Sequence, residues 1–129
     1  MVQMASVSPV LLVTDVFQTA EYYRDVLGFS FDQIYGEPPS FVIVQRDNAR
    51  LMFRQPRQGV PPPANASVTP NFPADVFLYV DDVEVLVTEL RGKHAEILDG
   101  PTYRPIWNGK ELVVRDCNGR VLCFGQPMD

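Results

Sequence analysis

Polar and apolar positions along this chain fall into two rounds of the same order. Residues 6–14 are an apolar run broken inside by Ser8 and Pro9, which predicts a strand with the proline near its edge or its start. Asp15 suits a helix N-cap, and Gln18 three residues later completes a capping-box pattern. Val16, Ala20, Tyr23 and Leu27 follow at helical spacing, and Gly28 supplies the stop. Residues 29–35, 40–46 and 49–55 predict three further strands. Gly36-Glu37-Pro38-Pro39 and Asp47-Asn48 are the turns between them. The first half reads β-α-β-β-β.

The second round starts with a strand over residues 74–80. Asp82 is the next N-cap, and Val83, Leu86, Val87 and Leu90 make an i, i+3, i+4, i+7 stripe that ends at Gly92. A short strand is predicted over residues 95–98 and an irregular stretch over 100–108, where Pro101 and Pro105 fall. Residues 110–115 and 120–125 predict a hairpin around Asp116-Cys117-Asn118-Gly119. The order is again β-α-β-β-β. Both helical stripes face a core rather than a cofactor.

The repeat is visible in the letters. Val13-Thr14-Asp15-Val16 returns as Val80-Asp81-Asp82-Val83, and Leu51-Met52-Phe53-Arg54-Gln55 as Leu122-Cys123-Phe124-Gly125-Gln126. Between the halves, residues 56–73 hold half of the chain's 12 prolines and cannot be a central strand or a helix interior. The expected organisation is one domain, 1–129, with modules over 6–55 and 74–126 and a Pro-rich linker over 56–73. Two similar halves suggest a pseudo-symmetric fold with a shared groove.

Composition narrows the function. At 129 residues, 46% hydrophobic and 21% charged, the chain can bury a core without a disulfide or metal staple. A net charge of −5 argues against a nucleic-acid partner, whose recognition needs clustered Lys and Arg. The longest aliphatic run, Val10-Leu11-Leu12-Val13, is far short of a membrane span. Residues 1–6 have no basic residue or long apolar region, so no signal peptide and a cytoplasmic location are expected. The 2 cysteines, Cys117 and Cys123, lack zinc-type spacing and read as reduced thiols.

Two stretches carry a family likeness. Leu12-Val13-Thr14-Asp15 followed by Ala20-Glu21-Tyr22-Tyr23-Arg24-Asp25-Val26-Leu27-Gly28-Phe29 is one. Gly100-Pro101 through Trp107, then Lys110-Glu111 and Arg115-Asp116-Cys117-Asn118-Gly119-Arg120, is the other. Together they resemble the vicinal oxygen chelate superfamily, the glyoxalase, bleomycin-resistance and extradiol-dioxygenase group, closest to its small bleomycin-resistance-like members. Cys117 stands where that family usually has proline, and Asn108 separates Trp107 from Gly109. The resemblance implies an α+β fold of two βαβββ modules forming a curved mixed sheet, with a shared concave groove and helices on the convex side. It also implies a homodimer.

Metal enzymes of that family carry His, Gln and Glu on the first and last strands of each module. The matching positions here are Ser8, Asp75, Met52 and Cys123. One hydroxyl, one carboxylate, one thioether and one thiol suit neither zinc nor a two-His-one-carboxylate iron site. His94, the single histidine, lies past the second helix and reads as solvated. No metal and no cofactor are therefore expected, and no catalytic residue is assigned.

Strand alternation from those positions builds an expected groove lining of Ser8, Val10, Leu12, Met52, Arg54, Asp75, Phe77, Tyr79, Val121 and Cys123. Trp107 joins it as a ring on which a planar ligand could stack, with Tyr35 and Tyr103 weaker candidates. Glu111 is expected to pair with a basic residue rather than touch ligand. Cys123 as a nucleophile with Asp75 as base would need a depressed thiol pKa, and only Arg54 is at hand. The leading expectation is a metal-independent small-molecule-binding protein of the bleomycin-resistance type, taking an aromatic or cationic antibiotic. The alternatives are a glyoxalase-like lyase, isomerase or dioxygenase, and a non-catalytic structural or regulatory module.

Overall fold

The computed structural model describes residues 1–56, 63–68 and 74–129. The chain divides into two compact units, one of Met1–Arg24 with Gly28–Pro61 and one of Asp25–Leu27 with Pro62–Asp129. The first holds β1 (Val10–Leu12), α1 (Val16–Asp25), β2 (Ile34–Tyr35), β3 (Phe41–Arg46) and β4 (Ala49–Arg54). The second holds α2 (Asn65–Val68), β5 (Val76–Tyr79), α3 (Val83–Gly92), β6 (Glu96–Arg104), β7 (Gly109–Arg115) and β8 (Val121–Pro127).

The first sheet runs β1-β4-β3-β2, with β1 parallel to β4 and the other pairs antiparallel. Its buried face is made by Val42, Val44, Leu51 and Phe53, alternate residues of the two central strands. Tyr23 of α1 packs its ring 4.8 Å from that of Phe53 and 5.5 Å from that of Phe29. Val16, Thr19, Ala20 and Tyr23 form the buried stripe of α1. Thr19 is buried without penalty because its hydroxyl donates to the Asp15 carbonyl at 2.8 Å. The second sheet runs β5-β8-β7-β6 with the same polarity, β5 parallel to β8. Val83, Leu86, Val87 and Leu90 are the buried stripe of α3, which packs on β6, β7 and β8.

Each helix start is held twice. Asp15 Oδ1 accepts from the Gln18 N–H at 3.0 Å, and Asp82 Oδ1 accepts from Glu84 and Val85 at 3.0 and 3.1 Å. In addition, Gln55 Oε1 accepts from the Val16 N–H at 3.3 Å and Gln126 Oε1 from the Val83 N–H at 2.9 Å. The glutamine that closes each copy of the sequence repeat thus ties the last strand to its helix.

The predicted elements are present, with four adjustments. The first strand starts at Val10 rather than residue 6, because Pro9 brings no N–H to the ladder and only its carbonyl is used, by Met52 at 3.0 Å. The strand expected over 29–35 is interrupted: Ser30 bridges to Gln45, the chain leaves the sheet, and pairing resumes at Ile34 with Val42. The second helix runs through Gly92, and His94, at φ 63°, takes the left-handed position after it. The region 100–104 is not irregular but continues β6, whose place at the sheet edge and two register shifts accommodate Pro101. Of the expected linker, residues 57–62 and 69–73 lie outside the described residues, while Asn65–Val68 forms one helical turn.

Removing Asp82 or Gln126 by alanine substitution leaves helix N–H groups without their acceptor. Each variant is expected to lose about 1 kcal/mol of stability, read as a lower midpoint in urea unfolding.

Candidate functional site

Each sheet has a second face, opposite the one its helix covers. In the first sheet, Val10 pairs with Met52 and Leu12 with Arg54, so these four expected groove residues share one face. Val10 and Arg54 are exposed there, and Leu12 and Met52 half-buried. Ile43 and Phe41 lie beside Met52 and Arg54, and the Arg54 guanidinium sits 4.7 Å over the Phe41 ring. Ser8 precedes β1, half-buried.

The matching face of the second sheet is closed at one end and open at the other. At the closed end, Val121 is 0% exposed and Cys123 4%, packed with Val113 and covered by Ala66 of α2 and Ala74. Asp75 locks this cover down. Its Oδ1 accepts from the Asn65 N–H at 2.9 Å, its Oδ2 accepts from the Val121 N–H at 2.9 Å, and Arg120 Nη1 lies 3.5 Å away. The Asp75 and Arg120 side chains are only 3% and 8% exposed. Asp75, Val121 and Cys123 were expected to line a groove; the structure instead uses them to seat α2. The reason is the stretch read as linker, part of which folds back onto the sheet.

At the open end stand Phe77, Tyr79 and Trp107. Their ring centroids are 5.2 Å (Phe77–Tyr79), 5.8 Å (Phe77–Trp107) and 6.4 Å (Tyr79–Trp107) apart, tilted or edge-on. Phe77 is 41% exposed and Tyr79 75%, so the cluster presents ring surface to solvent. Two glycines make room for it. A methyl group at Gly109 would stand 2.1 Å from the Trp107 ring, and one at Gly125 would stand 2.5 Å from the Phe77 ring. The rings therefore lie against bare backbone, which no other residue permits.

Glu111 of β7 organises this end. Trp107 Nε1 donates to its Oε2 at 2.9 Å and Arg104 Nε donates to its Oε1 at 3.2 Å. Arg104 also donates to Asp99 Oδ2 at 3.0 Å. The Cys123 thiol shares Glu111 as a hydrogen-bond partner. Burial, then the Glu111 charge and that hydrogen bond, push the thiol up from 9.0 to about 12. A thiol held protonated in this way is a poor nucleophile at neutral pH. Glu111 pairs with a basic residue as the sequence suggests, but its contacts with Trp107 and Cys123 join residues of three elements and have no local signature.

The family's metal positions do not fit a divalent ion in this chain. Met52 offers a thioether and Cys123 a protonated thiol, while both Asp75 oxygens are engaged by backbone N–H groups. Among the described residues, no group of three His, Cys, Asp or Glu is placed to hold a metal. His94 is exposed beyond α3.

The profile of the Glyoxalase/Bleomycin resistance protein/Dioxygenase superfamily matches residues 5–124. The chain belongs to this superfamily. Solved structures of similar fold include a bleomycin-binding protein from Streptomyces verticillus, crystallised with copper(II)-bleomycin. It is 22% identical, with 100% of both chains covered and a TM-score of 0.69. An antibiotic-binding protein from a Streptomyces species is 21% identical over 98% of this chain and 100% of its own, with a TM-score of 0.69. TioX from a Micromonospora species is 16% identical over 97% and 100%, with a TM-score of 0.74. None of the curated proteins matches. Within the superfamily frame, the sites missed from the letters are Gly109, Gly125 and the Glu111–Arg104–Asp99 chain. Glycines in strands were the available signal, since an interior glycine marks a close approach.

Two thiols of contrasting state give a direct test. At pH 8, iodoacetamide is expected to label the exposed Cys117 and spare Cys123 in the folded protein, as read by peptide mass spectrometry. Because the Cys123 pKa is raised in the fold, its contribution to stability is complete below pH 9 and is lost as pH rises toward about 12. Cys123→Ser is expected to flatten that part of the stability profile.

Proposed function

We propose that this chain is a small-molecule-binding protein that holds a planar aromatic compound without metal and without chemistry. The observation that carries this reading is the half-exposed Phe77, Tyr79 and Trp107 cluster, seated on Gly109 and Gly125 with its indole fixed by Glu111. Pre-positioned rings lose little freedom on binding, so stacking on them is gained almost in full. The groups that could do chemistry nearby are occupied: the Cys123 thiol is protonated, and Glu111 and Asp99 both hold Arg104. The names of two structural neighbours, a bleomycin-binding and an antibiotic-binding protein, support binding as the role and an antibiotic as the class.

In this reading the open face of the first sheet, with Val10, Leu12, Met52 and Arg54, is a second ligand-facing surface with Ser8 at its edge, and the protein acts as a homodimer. The protein works in the cytoplasm as a sequestering agent.

Titrating planar aromatic antibiotics while following Trp107 fluorescence is expected to give saturable quenching. Phe77→Ala should weaken binding about 3- to 10-fold, the loss of one ring contact, and pretreatment with chelator should change nothing. Flat responses across a chemically diverse aromatic panel, or binding that needs stoichiometric metal, would overturn the proposal.

A further inference from the structure

The break in the strand expected over 29–35 creates a second feature, one that shares no residue with the aromatic cluster. Ser30 is fastened to Gln45 by a pair of backbone hydrogen bonds of 2.8 and 2.9 Å. Ile34 is fastened to Val42. Between these two points the chain has one residue more than β3, so Phe31, Asp32 and Gln33 stand away from the sheet. The result is a hollow of about 200 Å³ on the first sheet, lined among others by Phe31, Tyr35, Ile43, Gln45 and Arg50.

Its lining is chemically specific. Phe31 and Tyr35 provide ring surface, and Ile43 an aliphatic floor. Arg50 is directly opposite Gln45 on the neighbouring strand, and its Nη2 donates to Gln45 Oε1 at 3.1 Å. Gln45 is itself oriented, because its Nε2 donates to the Asp47 carbonyl at 2.9 Å. The guanidinium is thus held in place by one of its five N–H groups. Among the described residues, none makes an ion pair with Arg50, and the carboxylate that shares its rim, Asp32, is not bonded to it. An oriented guanidinium with unused donors beside aromatic surface matches a carboxylate attached to a ring. Asp32, on the same rim, opposes a second negative group. The volume is below the ~300–1,000 Å³ of sites for drug-sized ligands, which limits the occupant to about one ring.

We propose that this hollow is a binding site for a small planar monocarboxylate, with Arg50 receiving the carboxylate and Phe31 and Tyr35 flanking the ring. It goes beyond the aromatic-cluster function and does not depend on it.

Nitrogen-15 NMR titration with benzoate, benzamide and benzylamine tests this assignment. Benzoate is expected to shift the amide signals of residues 31–33, 45 and 50 saturably and to leave the Trp107 indole signal in place. It should bind at least about tenfold more tightly than benzamide, the contribution of a charge-assisted pair, and benzylamine should bind least. Arg50→Gln should abolish the preference for benzoate, Arg50→Lys should keep part of it, and Arg91→Gln, a charge-matched change at an exposed position of α3, should keep all of it. No saturable benzoate binding, equal binding of benzamide, an undiminished preference in Arg50→Gln, or shifts centred on the Trp107 indole would each overturn the proposal.

Discussion

In both modules one glutamine decides what the sheet can do. Gln55 and Gln126 each leave the end of the last strand and accept from the first backbone N–H of the helix, at Val16 and Val83. That N–H has no partner within its own helix, so the bond satisfies a donor and fixes the helix entry against the strand. Once the helix is pinned there, one face of the sheet is committed to the core. The other face is left free of the helix, and where α2 does not cover it, its side chains stand exposed or half-buried. The aromatic cluster and the hollow at Arg50 both stand on faces that the helices leave uncovered.

The two faces have diverged although the frame has not. Paired positions of the repeat show this most plainly. Met52 corresponds to Cys123, and Arg54 to Gly125. In the first module these are a half-buried thioether and an exposed cation over a ring. In the second they are a buried thiol and a bare stretch of backbone on which rings can lie. The same strand register therefore gives a cationic surface in one copy and an aromatic one in the other.

Much of this was legible in the letters because it rests on local chemistry. Asp15, Asp82 and the apolar stripe of Val83, Leu86, Val87 and Leu90 announce the helices, since capping and 3.6-residue periodicity act within one or two turns. Strand alternation also placed Val10, Leu12, Met52 and Arg54 on one face. What was not legible depends on contacts between distant residues. The Asp75 carboxylate reads as a possible ligand until Asn65, Arg120 and Val121 are seen to converge on it. Residues 29–35 read as one continuous strand, whereas pairing with β3 lapses over residues 31–33. Glu111 was recognised as a pairing carboxylate, but the indole and thiol it also serves come from a loop and another strand.

The parallel pairing of first and last strands has a further consequence, for the order of events during synthesis. Each module begins with a strand whose partner is the last one made: β1 waits for β4, and β5 for β8. Local hairpins such as β3–β4 and β7–β8 can form early, whereas the parallel contact must close a loop spanning nearly the whole module. The first module's elements are complete once residue 55 has left the ribosome. The second lacks a central strand until β8 (Val121–Pro127) has emerged, so Phe77 and Tyr79 wait on an unfinished sheet while the intervening residues are made. Arrival of β8, which pairs with both β5 and β7, is then the step that commits the second module to its fold.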